Sequence, residues 1–278
     1  MNPQDLTHFA TLLKARTGIE VDAQKDYLVQ SRLATIAGTA GHESVDDLLR
    51  AIRTAPDERV LEAAIDAMTT NETLFFRDQT PFDHLRKIVL EPARRKGGTV
   101  RIWSAACSTG QEPYSIAMLW EEVAHHLPGV RLEIMATDYS NACLTKARAG
   151  IYSAFEVQRG LPVQKLMKHF EPDGPNWRVK DNLRQSITWR RHNLLDNPAA
   201  MGRFDVIFCR NVLIYFDRAT RSKVFDNLNG QLKDDGYLIL GASENVMGVT
   251  ERFRGDASSP GLYVKTGLAS PMPRAVGA

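Results

Sequence analysis

A loop of small residues and two carboxylates mark where this chain could do chemistry. The loop runs Ser104-Ala105-Ala106-Cys107-Ser108-Thr109-Gly110-Gln111-Glu112-Pro113-Tyr114. Its small side chains let a ligand approach the backbone closely, and its Pro stands at a helix start. It has neither the Gly-x-Gly-x-x-Gly spacing of a dinucleotide site nor the Gly-x-x-x-x-Gly-Lys-Ser/Thr spacing of a nucleoside-triphosphate site. Glu112 near a helix N-terminus would repel a pyrophosphate and suit an ammonium group; taken alone, it equally fits a residue that complements the helix dipole. Asp138, 28 positions beyond Gly110, could accept both hydroxyls of a ribose, or by itself could cap a helix beginning near Asn141. A ribose-binding acid, an ammonium-binding acid and no phosphate cradle together describe S-adenosylmethionine, a nucleoside that carries an amino acid and a sulfonium.

Two more segments carry polar groups next to apolar runs. After 204–209 the chain reads Arg210-Asn211-Val212-Leu213-Ile214-Tyr215-Phe216. Phe208 and Phe216 are assigned to packing, whereas the Tyr215 hydroxyl can hydrogen-bond a reacting oxygen. Upstream, Thr69-Thr70-Asn71-Glu72-Thr73-Leu74-Phe75-Phe76-Arg77-Asp78 joins two regions of different character. Leu74, Phe75 and Phe76 read as anchors of the helical domain that precedes them, while the Arg77 guanidinium could hold a carboxylate bidentately.

The elements that must position these residues follow from periodicity. In 1–78, apolar residues recur at helical spacing in Leu6/Phe9/Leu13, Val29/Leu33/Ile36, Val45/Leu48/Leu49/Ile52 and Val60/Leu61/Ala64/Ile65/Met68. Ser44 with Asp47 resembles a capping box, and the whole predicts a small all-helical domain. A linker helix and linker occupy 79–98, with Thr80 as N-cap and Pro81 at the first helical position. From 99 to 267 short apolar strands (100–103, 132–137, 206–209, 237–240) alternate with helices (114–126, 141–149, 219–232), which predicts an open, mainly parallel α/β sheet. The ligand of such a sheet lies outside the carboxyl ends of its strands, where the loops above fall. Within about 155–191, the segments 177–180 and 187–190 alternate at period two about Asp181-Asn182, which predicts an antiparallel hairpin in an inserted β-subdomain. Residues 268–278 read as a flexible tail.

Composition narrows the class. With 278 residues, 43% hydrophobic and 24% charged, the chain is neither disordered nor fibrous. No apolar run approaches the roughly 18 residues of a spanning helix, and no signal peptide is visible, so a cytoplasmic protein without membrane insertion is expected. Cys107, Cys143 and Cys209 lack ligand spacing and read as reduced thiols, and the histidines are adjacent or isolated, so no metal is expected. Net charge is +2, but 1–78 holds 8 Lys/Arg against 13 Asp/Glu and the remainder 27 against 20. The Asp/Asn-Pro-Pro-Tyr/Phe segment of nucleic-acid methylating enzymes is missing, and nucleic acid is not expected as a partner. A signalling adaptor that binds the cofactor without turnover is a second rival, opposed by the presence of Arg77 and Tyr215.

At these motifs the sequence resembles the CheR-type chemotaxis receptor glutamate methyltransferases, over about 6–265. The residues that carry the resemblance are Thr-Thr-Asn-Glu-Thr-x-Phe-Phe-Arg-Asp at 69–78, Ala-Ala-Cys-Ser-Thr-Gly-Gln-Glu-Pro-Tyr-Ser at 105–115, Ala-Thr-Asp at 136–138, Cys-Arg-Asn-Val-Leu-Ile-Tyr-Phe at 209–216 and Gly-Ala-Ser-Glu-Asn at 241–245. The resemblance implies a class I S-adenosylmethionine-dependent methyltransferase sheet, Rossmann-like, with the inserted antiparallel β-subdomain and the helical N-terminal domain. It implies a protein-glutamate O-methyltransferase that makes methyl esters and S-adenosylhomocysteine for sensory adaptation. Cofactor contacts would fall on Asn71, Thr73, Arg77, Glu112, Asp138, Asn193, Leu194, Arg210 and Asn211, with Arg77 and Tyr215 flanking the incoming carboxylate. The partners would be the cytoplasmic methylation helices of chemoreceptors, met by a monomer recruited to receptor arrays at the inner membrane. Lys25, Arg32, Arg50, Arg53 and Arg59 could line a face for those acidic helices, or form a solvated surface. Some family members use a Gly-containing loop of the β-subdomain to bind a peptide tether of the receptor. Here Asp173-Gly174-Pro175-Asn176 is short, and independence from a tether is expected.

Overall fold

The computed structural model describes residues 1–21, 26–90, 97–255 and 259–267, with backbone alone for 88–90. Two compact units emerge, one of 1–70 with 215–220 and one of 71–214 with 221–278.

The first unit is four helices: α1 (Pro3–Thr17), α2 (Asp26–Thr39), α3 (Val45–Thr54) and α4 (Glu58–Met68). Phe9, Leu13, Val29, Leu33, Leu48, Leu49, Ile52, Leu61 and Ile65 are buried, the stripes that the helical spacing singled out. Side chains of Asn2, Ser44 and Asp57 cap α1, α3 and α4 by accepting main-chain N–H bonds. Segment 215–220 joins this unit through a bridge between Ile19 and Phe216, and Lys14 Nζ reaches Asp217 (2.8 Å) and Glu20 (2.9 Å).

The second unit begins with α5 (Gln79–His84), continued by a π-helical stretch Leu85–Leu90. Thr80 is not the cap expected of it: the helix starts at Gln79 and Asp78 is the preceding residue, with φ 54° and no capping bond. The Asp78 carboxylate is engaged elsewhere, as described below. The main sheet has β1 (Gly98–Ala105), β2 (Val130–Asp138), β6 (Ile187–Arg191), β7 (Phe204–Cys209), β8 (Leu232–Leu240), β9 (Phe253–Gly255) and β10 (Leu262–Lys265) in the order β6-β2-β1-β7-β8-β10-β9. The pairs from β6 to β8 are parallel, and β10 runs antiparallel to β8 and β9. Helices α6 (Gln111–Val123), α7 (Asn141–Ala149) and α11 (Arg218–Gln231) follow β1, β2 and β7. Val100, Ile102, Ile134, Ala136, Val206, Phe208 and Ile239 are buried in the core, so the central strands read as continuous apolar runs.

A second, antiparallel sheet of order β3-β5-β4 comprises β3 (Ile151–Ser153), β4 (Phe170–Asp173) and β5 (Asn176–Val179), with α8 (Ala154–Gln158) and α9 (Val163–His169) between β3 and β4. The expected hairpin of 177–180 with 187–190 is not formed. Residues 176–179 pair with 170–173 through a turn at Gly174-Pro175, residues 181–185 form α10 (Asp181–Gln185), and 187–191 joins the main sheet beside β2. Alternation at period two reports a strand half exposed, as an edge strand is, and says nothing about its partner. Phe75 and Phe76 are likewise reassigned: they pack in the core of the second unit, Phe75 edge-on to Tyr152 (5.0 Å) and Phe170 (5.6 Å), Phe76 against Phe82 (5.2 Å).

Candidate functional site

Among the described residues, five that are not glycine have φ in the left-handed region: Phe76 (50°), Asp78 (54°), Ala106 (60°), Ser108 (51°) and Asn211 (58°). All five lie in the motif segments, and strain of this kind persists only where surrounding bonds over-determine it. Those bonds lie within the second unit.

The loop after β1 is drawn toward β2 by Cys107 N–H donating to Thr137 O (2.9 Å) and closed by Gly110 N–H to Cys107 O (3.1 Å). Gly110, φ 97°, admits no side chain: a Cβ there would stand 2.9 Å from Ala147 Cβ and 3.1 Å from the Tyr152 hydroxyl. That hydroxyl donates to Thr109 O (2.7 Å). Glu112, in the first turn of α6, is buried and accepts from Ser104 Oγ (2.7 Å) and Arg210 Nη1 (2.9 Å). Arg210, also buried at the carboxyl end of β7, donates through Nη2 to Asp78 Oδ2 (2.9 Å) and Arg77 O (2.8 Å). One guanidinium thus links three motifs. Two carboxylates face it, so the group carries one formal negative charge in excess, which favours a cation beside it.

Asp138 ends β2 and accepts from Ser108 N–H (2.7 Å) and Ser140 N–H (2.9 Å). It does not cap α7; Ser140 does, accepting from Cys143 N–H (3.1 Å). Ser108 Oγ donates to Asn71 O (2.6 Å), which brings the 71–78 segment to the same loop. Arg77 is half-buried and donates from Nη1 to Glu72 O (3.2 Å); Thr73 is half-buried nearby in sequence. The loop after β6 follows Asp138 through His192 N–H to Asp138 O (3.0 Å). It carries Asn193, whose Oδ1 accepts from Leu195 N–H (3.0 Å), and buried Leu194, whose carbonyl is held by Asn227 Nδ2 (2.9 Å). Asn211 is tied to Glu244, which accepts its N–H at 2.7 Å. Tyr215 belongs to the helical unit, where its carbonyl accepts Glu20 N–H (3.3 Å).

The thiols among these acids are poor nucleophiles. Burial, followed by the Asp138 and Glu112 carboxylates, pushes the Cys107 thiol well up; burial, then Glu244 and Glu112, does the same to Cys209. Among the described residues no cluster of three or more His, Cys, Asp or Glu could hold a metal ion, and no helix is long and apolar enough to cross a membrane.

Reading the sequence missed Asp78, Ser108, Asn227 and Glu244. The first, second and fourth lie inside motifs quoted above, so a signal existed; Asn227 carried none, since its partners are main-chain carbonyls. Of the basic residues that could form a face or a solvated surface, three have partners within the helical unit. Arg32 donates to Met68 O (2.5 Å), Thr69 O (3.2 Å) and Thr70 Oγ1 (2.9 Å) and Arg53 pairs with buried Asp5, so these two brace the helical unit, while Arg50 makes an exposed pair with Asp47 (3.0 Å) within α3. Lys25 lies outside the described residues.

Comparison with known proteins places these motifs in a family. Residues 71–260 match the model of the CheR methyltransferase, SAM binding domain, and residues 4–69 that of the CheR methyltransferase, all-alpha domain. A chemotaxis protein methyltransferase of Vibrio parahaemolyticus is 41% identical over 95% of this chain and 98% of its own. Chemotaxis protein methyltransferase Cher2 of Pseudomonas putida is 40% identical over 93% and 96%, and chemotaxis protein methyltransferase 1 of Pseudomonas aeruginosa 41% over 94% and 97%.

Proposed function

The chain belongs to the CheR methyltransferase family, and on that premise we propose that it methylates glutamate γ-carboxylates on the cytoplasmic helices of chemoreceptors. The observation that carries this reading is the Ser104–Glu112–Arg210–Asp78 network, which gathers three motifs at the strand ends around an excess carboxylate. An amino-acid ammonium suits that charge, and Asp138, clamped by two main-chain N–H bonds at the end of β2, suits a ribose. With no Gly-x-Gly-x-x-Gly cradle in the loop, these features fit S-adenosylmethionine in preference to a dinucleotide. Asn71, Thr73, Asn193, Leu194 and Asn211 would complete its contacts.

S-adenosylmethionine supplies an electrophilic methyl on a positively charged sulfur. The acceptor arrives ready: a glutamate with a pKa of about 4.3 is ionised at pH 7, so the chain needs no general base. What its residues must do is align the acceptor and exclude water. Arg77 orients the carboxylate with guanidinium N–H groups, and the Tyr215 hydroxyl donates to one oxygen, leaving the other to attack in line. Transfer removes one positive and one negative charge together, so a dry site favours it by shedding their hydration.

The reading extends to a monomer and, because only the two residues Gly174 and Pro175 separate β4 from β5, to action without the receptor's C-terminal tether. Incubation of the full chain with labelled S-adenosylmethionine and receptor cytoplasmic fragments should yield base-labile methyl esters. Absence of ester from every fragment, with S-adenosylhomocysteine still bound, would favour a cofactor-binding adaptor instead. An isolated tether peptide should give no saturable calorimetric heat at micromolar concentration.

A further inference from the structure

Glu244, in the loop after β8, is 7% exposed, and its carboxylate is surrounded by main-chain donors. Oε2 accepts from Asn211 N–H (2.7 Å) and Gly241 N–H (2.8 Å); Oε1 accepts from Val212 N–H (2.9 Å) and Leu213 N–H (2.7 Å). Charge-assisted bonds of this length are the strong ones, and three consecutive amides turned toward one anion form a concave nest. The nest dictates the path of 211–213. It holds Asn211 at φ 58° and delivers Leu213 to the start of the turn Leu213–Tyr215. Gly241 closes the other side, where an added Cβ would lie 2.8 Å from Glu244 Oε2, 2.9 Å from Asn211 Nδ2 and 3.0 Å from Asn211 N. The carboxylate therefore acts as an internal staple between the loops after β7 and β8, and the segment it shapes carries Asn211 and leads into Tyr215.

We infer that Glu244 is a positioning residue for methyl transfer, setting the backbone of 211–213, which carries the cofactor contact Asn211 and leads into Tyr215. The inference rests on the reading above, in which Asn211 meets S-adenosylmethionine and Tyr215 the acceptor. Removing the staple frees the segment to relax out of its left-handed kink, and a displacement of about 1 Å at a reacting group is enough to lower turnover about 100-fold.

The test uses the full chain as wild type, Glu244→Gln, Gly241→Ala and Asp205→Asn. The glutamine keeps the volume but presents an amide N–H₂ to main-chain donors. Gly241→Ala keeps the carboxylate and crowds it. Asp205→Asn perturbs another carboxylate that accepts a main-chain N–H, far along β7 from this loop, and controls for lost stability alone. Calorimetric Kd for S-adenosylhomocysteine, kcat and KM are read well below the lowest Tm, with amide hydrogen exchange at 211–213. Glu244→Gln should lower kcat about 100-fold and weaken S-adenosylhomocysteine about tenfold, with faster exchange at 211–213. Gly241→Ala should move each quantity the same way, and Asp205→Asn should leave kcat and Kd within threefold of wild type. Wild-type kcat and Kd in folded Glu244→Gln would overturn the role, and if that variant does not fold, the same result in Gly241→Ala would. A wild type that neither binds the product nor forms ester would instead remove the function on which the role depends.

Discussion

The two ends of the main sheet are built on different principles. At the amino ends of the strands, the left-handed residues among those described are all glycines: Gly97, Gly98, Gly129 and Gly202. The charges there form ordinary, half-exposed pairs, with Asp205 accepting Arg101 N–H (2.8 Å) and meeting Lys233 Nζ (2.8 Å), and Arg101 reaching Glu133 (2.9 Å). At the carboxyl ends and in the 71–78 segment, Phe76, Asp78, Ala106, Ser108 and Asn211 adopt the same backbone region despite their side chains. Glu112, Asp138 and Glu244 there are buried and bonded to backbone amides or to buried Arg210. A left-handed alanine or phenylalanine costs about 1–2 kcal/mol that a glycine would not. The end that tolerates strain is the end where the proposed function needs fixed geometry, and at the opposite end glycines make the turns.

The contrast breaks most sharply at Arg77. Arg77→Ala should reduce methyl transfer to a receptor fragment by about 10³-fold, or about 4 kcal/mol in the barrier, because the variant loses the orientation of the acceptor. Single-turnover transfer at the wild-type rate would remove Arg77 from the mechanism. Next comes Gly160→Ala. Gly160 has φ 86°, and a Cβ there would stand 2.1 Å from Phe75 O, so the substitution must displace the backbone that leads into Phe76 and Arg77. Strain and overpacking together should remove about 3 kcal/mol of stability, a Tm drop of roughly 6–12 °C by thermal melt, with activity falling in the folded fraction. At the opposite end, Asp205→Asn should remove only about 1 kcal/mol, since half-exposed pairs contribute little, and should leave transfer unchanged. Loss of activity in that variant would mean that the two ends are coupled and the contrast is false.

How much of this was legible in the sequence follows the same division. The central strands and the helices around them were readable, because burial on both faces leaves continuous apolar runs such as 206–209 and helical stripes leave their own period. The strand 187–191 was seen but given the wrong partner, since pairing with β2, some fifty residues earlier, leaves no local trace. At the site, the sequence singled out Glu112, Asp138 and Arg77 by their chemistry and Arg210 by resemblance. What escaped was their wiring. Arg210 meets Glu112 and Asp78 across 98 and 132 positions of chain, and Glu244 acts wholly on main-chain amides, which are the same in every sequence. Arg32 and Arg53 looked like a free basic face for a similar reason, as their acceptors are the carbonyls ending α4 and the buried Asp5.

The smallest effect expected is also the finest probe of the contrast. Ala106 sits at φ 60° between the end of β1 and Cys107, where the backbone bends to present Ser108 N–H to Asp138. Glycine would relieve about 1–2 kcal/mol of left-handed strain while giving the unfolded chain about 0.5–1 kcal/mol more conformational freedom. Ala106→Gly should therefore raise stability by roughly 0.5–1 kcal/mol in urea titration, with the m-value unchanged. Stability and function should then separate, because a loop freed of its methyl group samples conformations in which Ser108 no longer meets Asp138. S-adenosylhomocysteine should bind a fewfold more weakly to the more stable protein. A variant that is both more stable and equally tight in binding would show that the strain at Ala106 is incidental, and that the bonds of Ser108 and Cys107 alone hold the loop.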